Sequence, residues 1–308
     1  MKRIIEFFRN QPPGRLITLG FFLVIMVGAL LLLTPLARRP GVDVRFVDAL
    51  FTSTSAVCVT GLIAIDTYDT FSVFGRAVVA LLIQVGGLGV TSVGAGLILA
   101  AGKKFSFKSR LMIKEGLNVD SFKGVVRLVK SVLLMTFCFE LVGAVLSFLV
   151  FIQDYPPLHA LGNSVFHSIA AFNNSGFDVL GGLQNLIPYR NDVLLNLTTC
   201  GLIIFGGIGF LVILDVLKNR FHFRKLALHS KVVITTSIFL IVVGTVILKL
   251  TDDVTWLGAF FHSVSARTAG FSTYPLGTFS NAGLFALTLL MFIGASPGST
   301  GGGIKTST

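Results

Sequence analysis

The chain has 308 residues, 53% of them hydrophobic and 13% charged, with a mean hydropathy of +0.85. Soluble domains carry about 25% charged residues, so this composition excludes a water-soluble globular protein and indicates a polytopic membrane protein. The formal net charge of +11 does not argue for nucleic-acid binding here, because the basic residues are sorted along the chain by membrane side.

Residues 1–14 are basic and amphipathic, with Lys2, Arg3 and Arg9 among Ile4, Ile5, Phe7 and Phe8, and are expected on the inner membrane surface. Met1-Lys2-Arg3 looks like the start of a signal peptide. The apolar stretch over 15–36 is nevertheless long enough to span and has no small-residue cleavage site, so it reads as a retained first span. Pro35 and Arg38-Arg39-Pro40 end it.

The next segment, 46–61, is too short to cross a bilayer. It contains Phe51, Ser53, Ala56 and the run Val57-Cys58-Val59-Thr60-Gly61. A second span is predicted over 73–101, with Gly86, Gly87 and Gly89 placed for close helix approach. A basic connection follows, carrying Lys103, Lys104, Lys108, Arg110, Lys114, Lys123, Arg127 and Lys130, and then a third span over 131–152. The short unit 158–176 repeats the first without a gap, matching Phe51 with Phe166, Ser53 with Ser168, Ala56 with Ala171 and Gly61 with Gly176. It ends in Phe172-Asn173-Asn174-Ser175-Gly176. A fourth span, 192–217, carries Gly206, Gly207 and Gly209 as echoes of the earlier glycines, and a second basic cluster follows at Lys218, Arg220, Arg224, Lys225 and Lys231. A fifth span covers 232–250, and a third short unit, 254–270, ends in Arg267-Thr268-Ala269-Gly270.

The period is therefore span, short re-entrant helix, Gly-containing loop, span. It divides the chain into repeats at 1–102, 103–228 and 229–308. This layout is that of a pore lined by backbone carbonyls, with all repeats in one orientation about a common axis. The third exit span starts at Leu284 but runs into Ala295-Ser296-Pro297-Gly298-Ser299-Thr300-Gly301-Gly302-Gly303-Ile304-Lys305-Thr306. Proline costs about 3 kcal/mol in a helix interior and each glycine up to about 1. The run is expected to be an irregular loop crossing the pore beneath the filter, placed to gate it.

The acids Asp43, Asp48, Asp66, Asp69, Asp154, Asp178, Asp192, Asp252 and Asp253 fall opposite the basic connections. The positive-inside rule then puts the N-terminus in the cytoplasm and the re-entrant units on the outer side, under an acidic rim that concentrates cations. Helix capping is the competing reading for each acid taken singly. Arg267 is expected to point behind the filter onto a carboxylate or carbonyl as a brace, with a direct role in selectivity as the alternative. Glu140, inside a span, is expected to pair structurally, with an arginine or in protonated form, rather than to relay protons. His167 and His262 read as helix–helix hydrogen bonders and Asp215 as an interfacial residue. Lys305 either braces the loop on carbonyls or reaches the inner surface. Cys58, Cys138 and Cys200 have no disulfide or zinc spacing.

Cys58-Val59-Thr60-Gly61-Leu62, Asn173-Asn174-Ser175-Gly176-Phe177, Arg267-Thr268-Ala269-Gly270-Phe271 and the run Gly298–Thr306 resemble the Ktr/Trk/HKT superfamily of cation transporters, most closely the membrane subunit of the bacterial Ktr potassium-uptake system. The resemblance implies an all-α membrane protein with four such repeats around a pseudo-fourfold pore. Three are present here, and the fourth is expected from further chain or from another chain. It also implies one potassium-selective glycine per repeat at Gly61, Gly176 and Gly270, and an intramembrane gating loop at 295–306. It implies a homodimer in the bacterial plasma membrane, a cytosolic ring of nucleotide-binding regulatory subunits, K+ as cargo and no cofactor in this chain. The run Gly298–Thr306 misses the phosphate-binding pattern GxxxxGK[ST] by one residue, Ile304, and follows an apolar span, so nucleotide hydrolysis is not expected. The competing class is a secondary symporter whose broken helices hold a solute at the midplane. It predicts inverted repeats and charged ligands, which the sequence does not offer.

Overall fold

The computed structural model describes residues 11–102, 107–116 and 124–306, apart from the side chains of Phe107 and Lys108. The amphipathic segment before residue 11, and Lys103, Lys104 and Lys123 of the first basic connection, lie outside the described residues. In chain order the main helices are α1 (Pro13–Leu32), α2 (Phe46–Val57), α3 (Val73–Leu88), α4 (Val90–Ala100), α5 (Phe107–Gly116), α6 (Val125–Phe151), α7 (Pro157–Phe172), α8 (Val193–Ile208), α9 (Phe210–Lys218), α10 (Leu228–Thr251), α11 (Trp256–Ser265) and α12 (Asn281–Phe292). Among the described residues, extended pairing is confined to two isolated bridges, Arg38 with Phe71 and Ile293 with Ile304.

The helices α1, α6 and α10 are long and apolar enough to cross a membrane, and only about a fifth of each best window is buried inside the protein. Their remaining faces are apolar and open, for example at Phe22, Leu23, Val142, Leu149 and Phe239. Faces of that kind belong in hydrocarbon. The helix α6 begins six residues earlier than the span expected from 131, so Arg127 and Lys130 lie within its first two turns.

Two predicted spans are not straight. The stretch 73–101 bends by 102° between α3 and α4, and 192–217 bends by 94° between α8 and α9. Gly89 (φ 79°) and Gly209 (φ 96°) sit at the breaks in backbone conformations that a side chain resists. The preceding glycines do serve close approach. A Cβ at Gly86 would collide with the Val57 carbonyl, and one at Gly206 with the Phe172 carbonyl.

The short helices α2, α7 and α11 are each tied to the preceding long helix in the same way. Ser53 Oγ donates to the Ile25 carbonyl (2.7 Å), Ser168 Oγ to the Glu140 carbonyl (2.6 Å) and Ser263 Oγ to the Ile241 carbonyl (2.8 Å). Each serine faces a glycine of the long helix, Gly28, Gly143 or Gly244, and each glycine also touches a leucine of the exit helix, Leu82, Leu202 or Leu290. A small residue at this crossing lets three backbones approach, and the buried hydroxyl takes a carbonyl already committed to its helix.

Candidate ion pathway

Each short helix ends in a loop of the same form. The residue two before the loop glycine has a left-handed backbone, at Val59 (φ 54°), Asn174 (φ 55°) and Thr268 (φ 77°), as have Gly61 (75°), Gly176 (69°) and Gly270 (84°) themselves. Non-glycine residues seldom hold this conformation, and it concentrates where a fold over-determines the backbone for function. The loop amides fold back onto the helix ends: Thr60 N–H donates to Ser55 O (2.9 Å), Ser175 N–H to Ala170 O (2.9 Å) and Ala269 N–H to Ser265 O (2.9 Å). Ser55 and Ser265 close their loops further through the carbonyls of Leu62 and Phe271.

Gly176 lies against both Gly61 and Gly270. A Cβ on Gly61 would strike the Ser175 carbonyl oxygen and stand 3.3 Å from Gly176 Cα. A Cβ on Gly176 would stand 2.7 Å from the Ala269 oxygen and 3.2 Å from Gly270 Cα. Main chain thus faces main chain where the three loops meet. The loop residues behind are buried: Phe172, Asn173, Asn174, Ser175 and Ala269 are at most 1% exposed. Asn185, which the sequence pattern did not single out, clamps two loops. Its Nδ2 donates to the Gly176 carbonyl (3.3 Å) and its Oδ1 accepts from Ser272 N–H (3.0 Å).

The loop 295–306 is irregular, as the glycine and proline content requires, and it docks on the second break. Thr300 N–H donates to Gly206 O (3.1 Å), Ser296 N–H to Gly207 O (2.9 Å), and Phe210 N–H to Gly298 O (2.9 Å). The backbone groups that the bend strips from α8 and α9 are therefore satisfied by the loop, and the loop's by the helices. Thr300 Oγ1 donates to the Phe172 carbonyl (3.0 Å) and accepts from Asn174 Nδ2 (3.1 Å). Lys305 Nζ bonds the Gly301 carbonyl (2.8 Å), which is the bracing alternative.

Arg267 Nη2 donates to the Gly294 carbonyl (3.2 Å), where α12 gives way to the loop, and the residue lines a cavity of about 30 Å³ with Ile204, Ser237, Ile241 and Val264. Among the described residues Glu140 has no arginine partner. Its oxygens accept from Gln84 Nε2 (3.2 Å) and Asn173 Nδ2 (3.2 Å), a structural pairing through amides in place of the arginine alternative. His167 bridges helices through Thr199 (2.8 Å). His262 instead accepts the backbone N–H of Tyr274 (3.2 Å). Asp215 accepts the Ala227 N–H (2.9 Å) and so holds the turn into α10. Among the described residues no group of three His, Cys, Asp or Glu could hold a metal ion.

The acids of the expected rim are mostly engaged. Asp66 caps the helical turn Thr67–Thr70, Asp192 caps α8, Asp66 and Asp69 accept amides of Leu183 and Gly182, Asp43 and Asp48 pair with Arg38 and Arg45, and Asp154 accepts from Tyr189. Capping and pairing account for these residues singly. Burial lifts the Asp178 carboxyl to about 6, with Asp66 and Asp69 adding to the effect.

The family of TrkH cation transport proteins matches residues 21–308. The chain belongs to that family. Among relatives of the TrkH family, it is 36% identical to the Ktr system potassium uptake protein B of Bacillus subtilis, with 99% of this chain and 70% of that one covered. It is 37% identical to the potassium/sodium uptake protein NtpJ of Enterococcus hirae, covering 97% and 68%. The crystal structure of the potassium transporter TrkH from Vibrio parahaemolyticus shares the fold, with a TM-score of 0.73 at 18% identity over 97% of this chain. The chain spans 60% of the length of that TrkH.

Proposed function

We propose that this chain forms most of the ion pathway of a potassium-uptake transporter in a bacterial plasma membrane, with its N-terminus in the cytoplasm. The backbone oxygens of Val57–Gly61, Phe172–Gly176 and Arg267–Gly270 replace the water of a dehydrating K+ ion. Neutral carbonyls with a modest field suit the larger alkali ion, and weak multi-site binding lets it leave. The helices α2, α7 and α11 aim their C-terminal ends at the same place, which favours a cation there. The loop 295–306 obstructs the path beneath the filter and gates it. A fourth loop, from further residues of the protein or from another chain, completes the enclosure. The assembly is a homodimer on a cytosolic ring of nucleotide-binding regulatory subunits, as in the systems that the sequence resembles.

The observation that carries this reading is the packing of Gly176, main chain to main chain, against both Gly61 and Gly270, each of the three with a left-handed backbone. The test is ion flux into vesicles holding the purified full-length protein. The wild type should pass K+ well ahead of Na+ down a gradient, and Gly176→Ala should lose that preference. Equal preference in the two proteins overturns the reading.

A further inference from the structure

The serine pins put Ile25, Glu140 and Ile241 at equivalent points of α1, α6 and α10, since the carbonyl of each receives the serine hydroxyl of the helix that follows. Two of the three are isoleucine and one is an acid. Gln84, two residues before Gly86-Gly87, stands where Ile204 stands before Gly206-Gly207, and Asn173, three before Gly176, stands where Arg267 stands before Gly270. The polar trio therefore fills the junction between α3, α6 and the second filter loop. The same three positions at the next junction hold Ile204, Ile241 and Arg267 around a small cavity.

The trio is closely bonded. Asn173 Nδ2 reaches Gln84 Oε1 (2.9 Å) and Glu140 Oε1 (3.2 Å), and Gln84 Nε2 reaches Glu140 Oε2 (3.2 Å). Both oxygens of Glu140 thus lie within reach of amide N–H groups, and the two hydrogens of Asn173 Nδ2 are shared with Gln84 Oε1 and with the Ile169 carbonyl (2.9 Å). The ion pairs among the described residues, Arg38–Asp43 and Arg45–Asp48, do not include it. A carboxylate inside a span, without a cation beside it, needs its counter-charge from elsewhere.

We propose that the counter-charge is the transported cation: Glu140, held against the second filter loop through Asn173 and Gln84, is a positioning residue that raises cation occupancy of the pathway. The amide contacts of Asn173 with Glu140 and with Gln84 transmit its placement to residues 172–176, and the low dielectric of the span lets its charge act across the loop. The proposal rests on the reading of those residues as filter.

The experiment compares K+ uptake by vesicles holding the full-length wild type, Glu140→Gln, and the double variant Glu140→Gln with Gln84→Glu, which returns the charge to the same trio. Glu140→Gln should raise the KM for K+ roughly tenfold with little change in maximal rate. The double variant should recover most of that loss. A KM unchanged in Glu140→Gln overturns the proposal, and so does a raised KM that the double variant leaves unrecovered, since a purely structural strut predicts that result. Should Glu140→Gln fail to fold, the double variant decides alone: a KM near wild type supports the charge, and a KM raised roughly tenfold overturns it. If Gly176→Ala keeps its K+ preference, the filter reading itself fails, whatever Glu140 does.

Discussion

Gly176 shows how little room a single residue has. Its φ of 69° is open to glycine, and a Cβ would stand 2.7 Å from the Ala269 oxygen. Alanine there costs roughly 1–2 kcal/mol in backbone strain alone and must push two loops apart, which is why the loss of K+ preference is expected at this position. Asp178, two residues on, is shifted in the opposite direction to a paired carboxylate, upward rather than downward. Burial raises its folded pKa from 3.8 to about 6. The folded protein then holds the proton longer than the unfolded chain, so this residue's contribution weakens stability as pH rises from about 4 to about 6, and the full cost persists above that. Asp178→Asn keeps the oxygen that accepts the Leu180 N–H. It should raise thermal stability in detergent at pH 7.5 by an amount approaching 3 kcal/mol and leave pH 4 almost unchanged. Equal gains at both pH values would show that charge is not the cause.

At the scale of elements, the second kink and the 295–306 loop depend on one another. The break at Gly209 frees the oxygens of Gly206 and Gly207 and the N–H of Phe210, and the loop supplies a partner for each. Through its side chain, Thr300 also links the loop to both the Phe172 carbonyl and Asn174. Thr300→Val keeps the shape and removes both bonds, at a cost of about 1–3 kcal/mol for a buried carbonyl left unpaired. The expected outcome is a loosened loop: higher resting K+ flux in vesicles without any regulatory subunit, at unchanged ion preference. Flux equal to wild type would separate the loop from gating. The glycines were legible in the sequence, but their division of labour was not. Gly86 and Gly206 serve close approach, whereas Gly89 and Gly209 break the helix. A helix of apolar residues with glycines reads the same either way until the partner that satisfies the broken ends is seen.

For the whole molecule, the arrangement is a set of outward apolar spans around short helices that dip and return. The sidedness expected from charge has a direct check. In a cysteine-free background, Gly277→Cys lies in open space after α11 and Arg220→Cys lies exposed after α9. An impermeant thiol reagent added outside intact cells should label the first and spare the second. The reverse result would invert the topology.

Composition, the recurring short segments and the glycine-rich run carried the membrane class and the helical architecture, because each follows from local chemistry: hydropathy, length and backbone freedom; the family came from the resemblance of the loop motifs. The partners of Glu140, the clamp at Asn185, the kinks at Gly89 and Gly209 and the caps, ion pairs and amide contacts that engage most of the expected rim acids were decided only in three dimensions. Each of these depends on which unsatisfied polar group comes within about 3 Å of which other, and residues 89 apart, such as Gln84 and Asn173, meet only once the helices have packed.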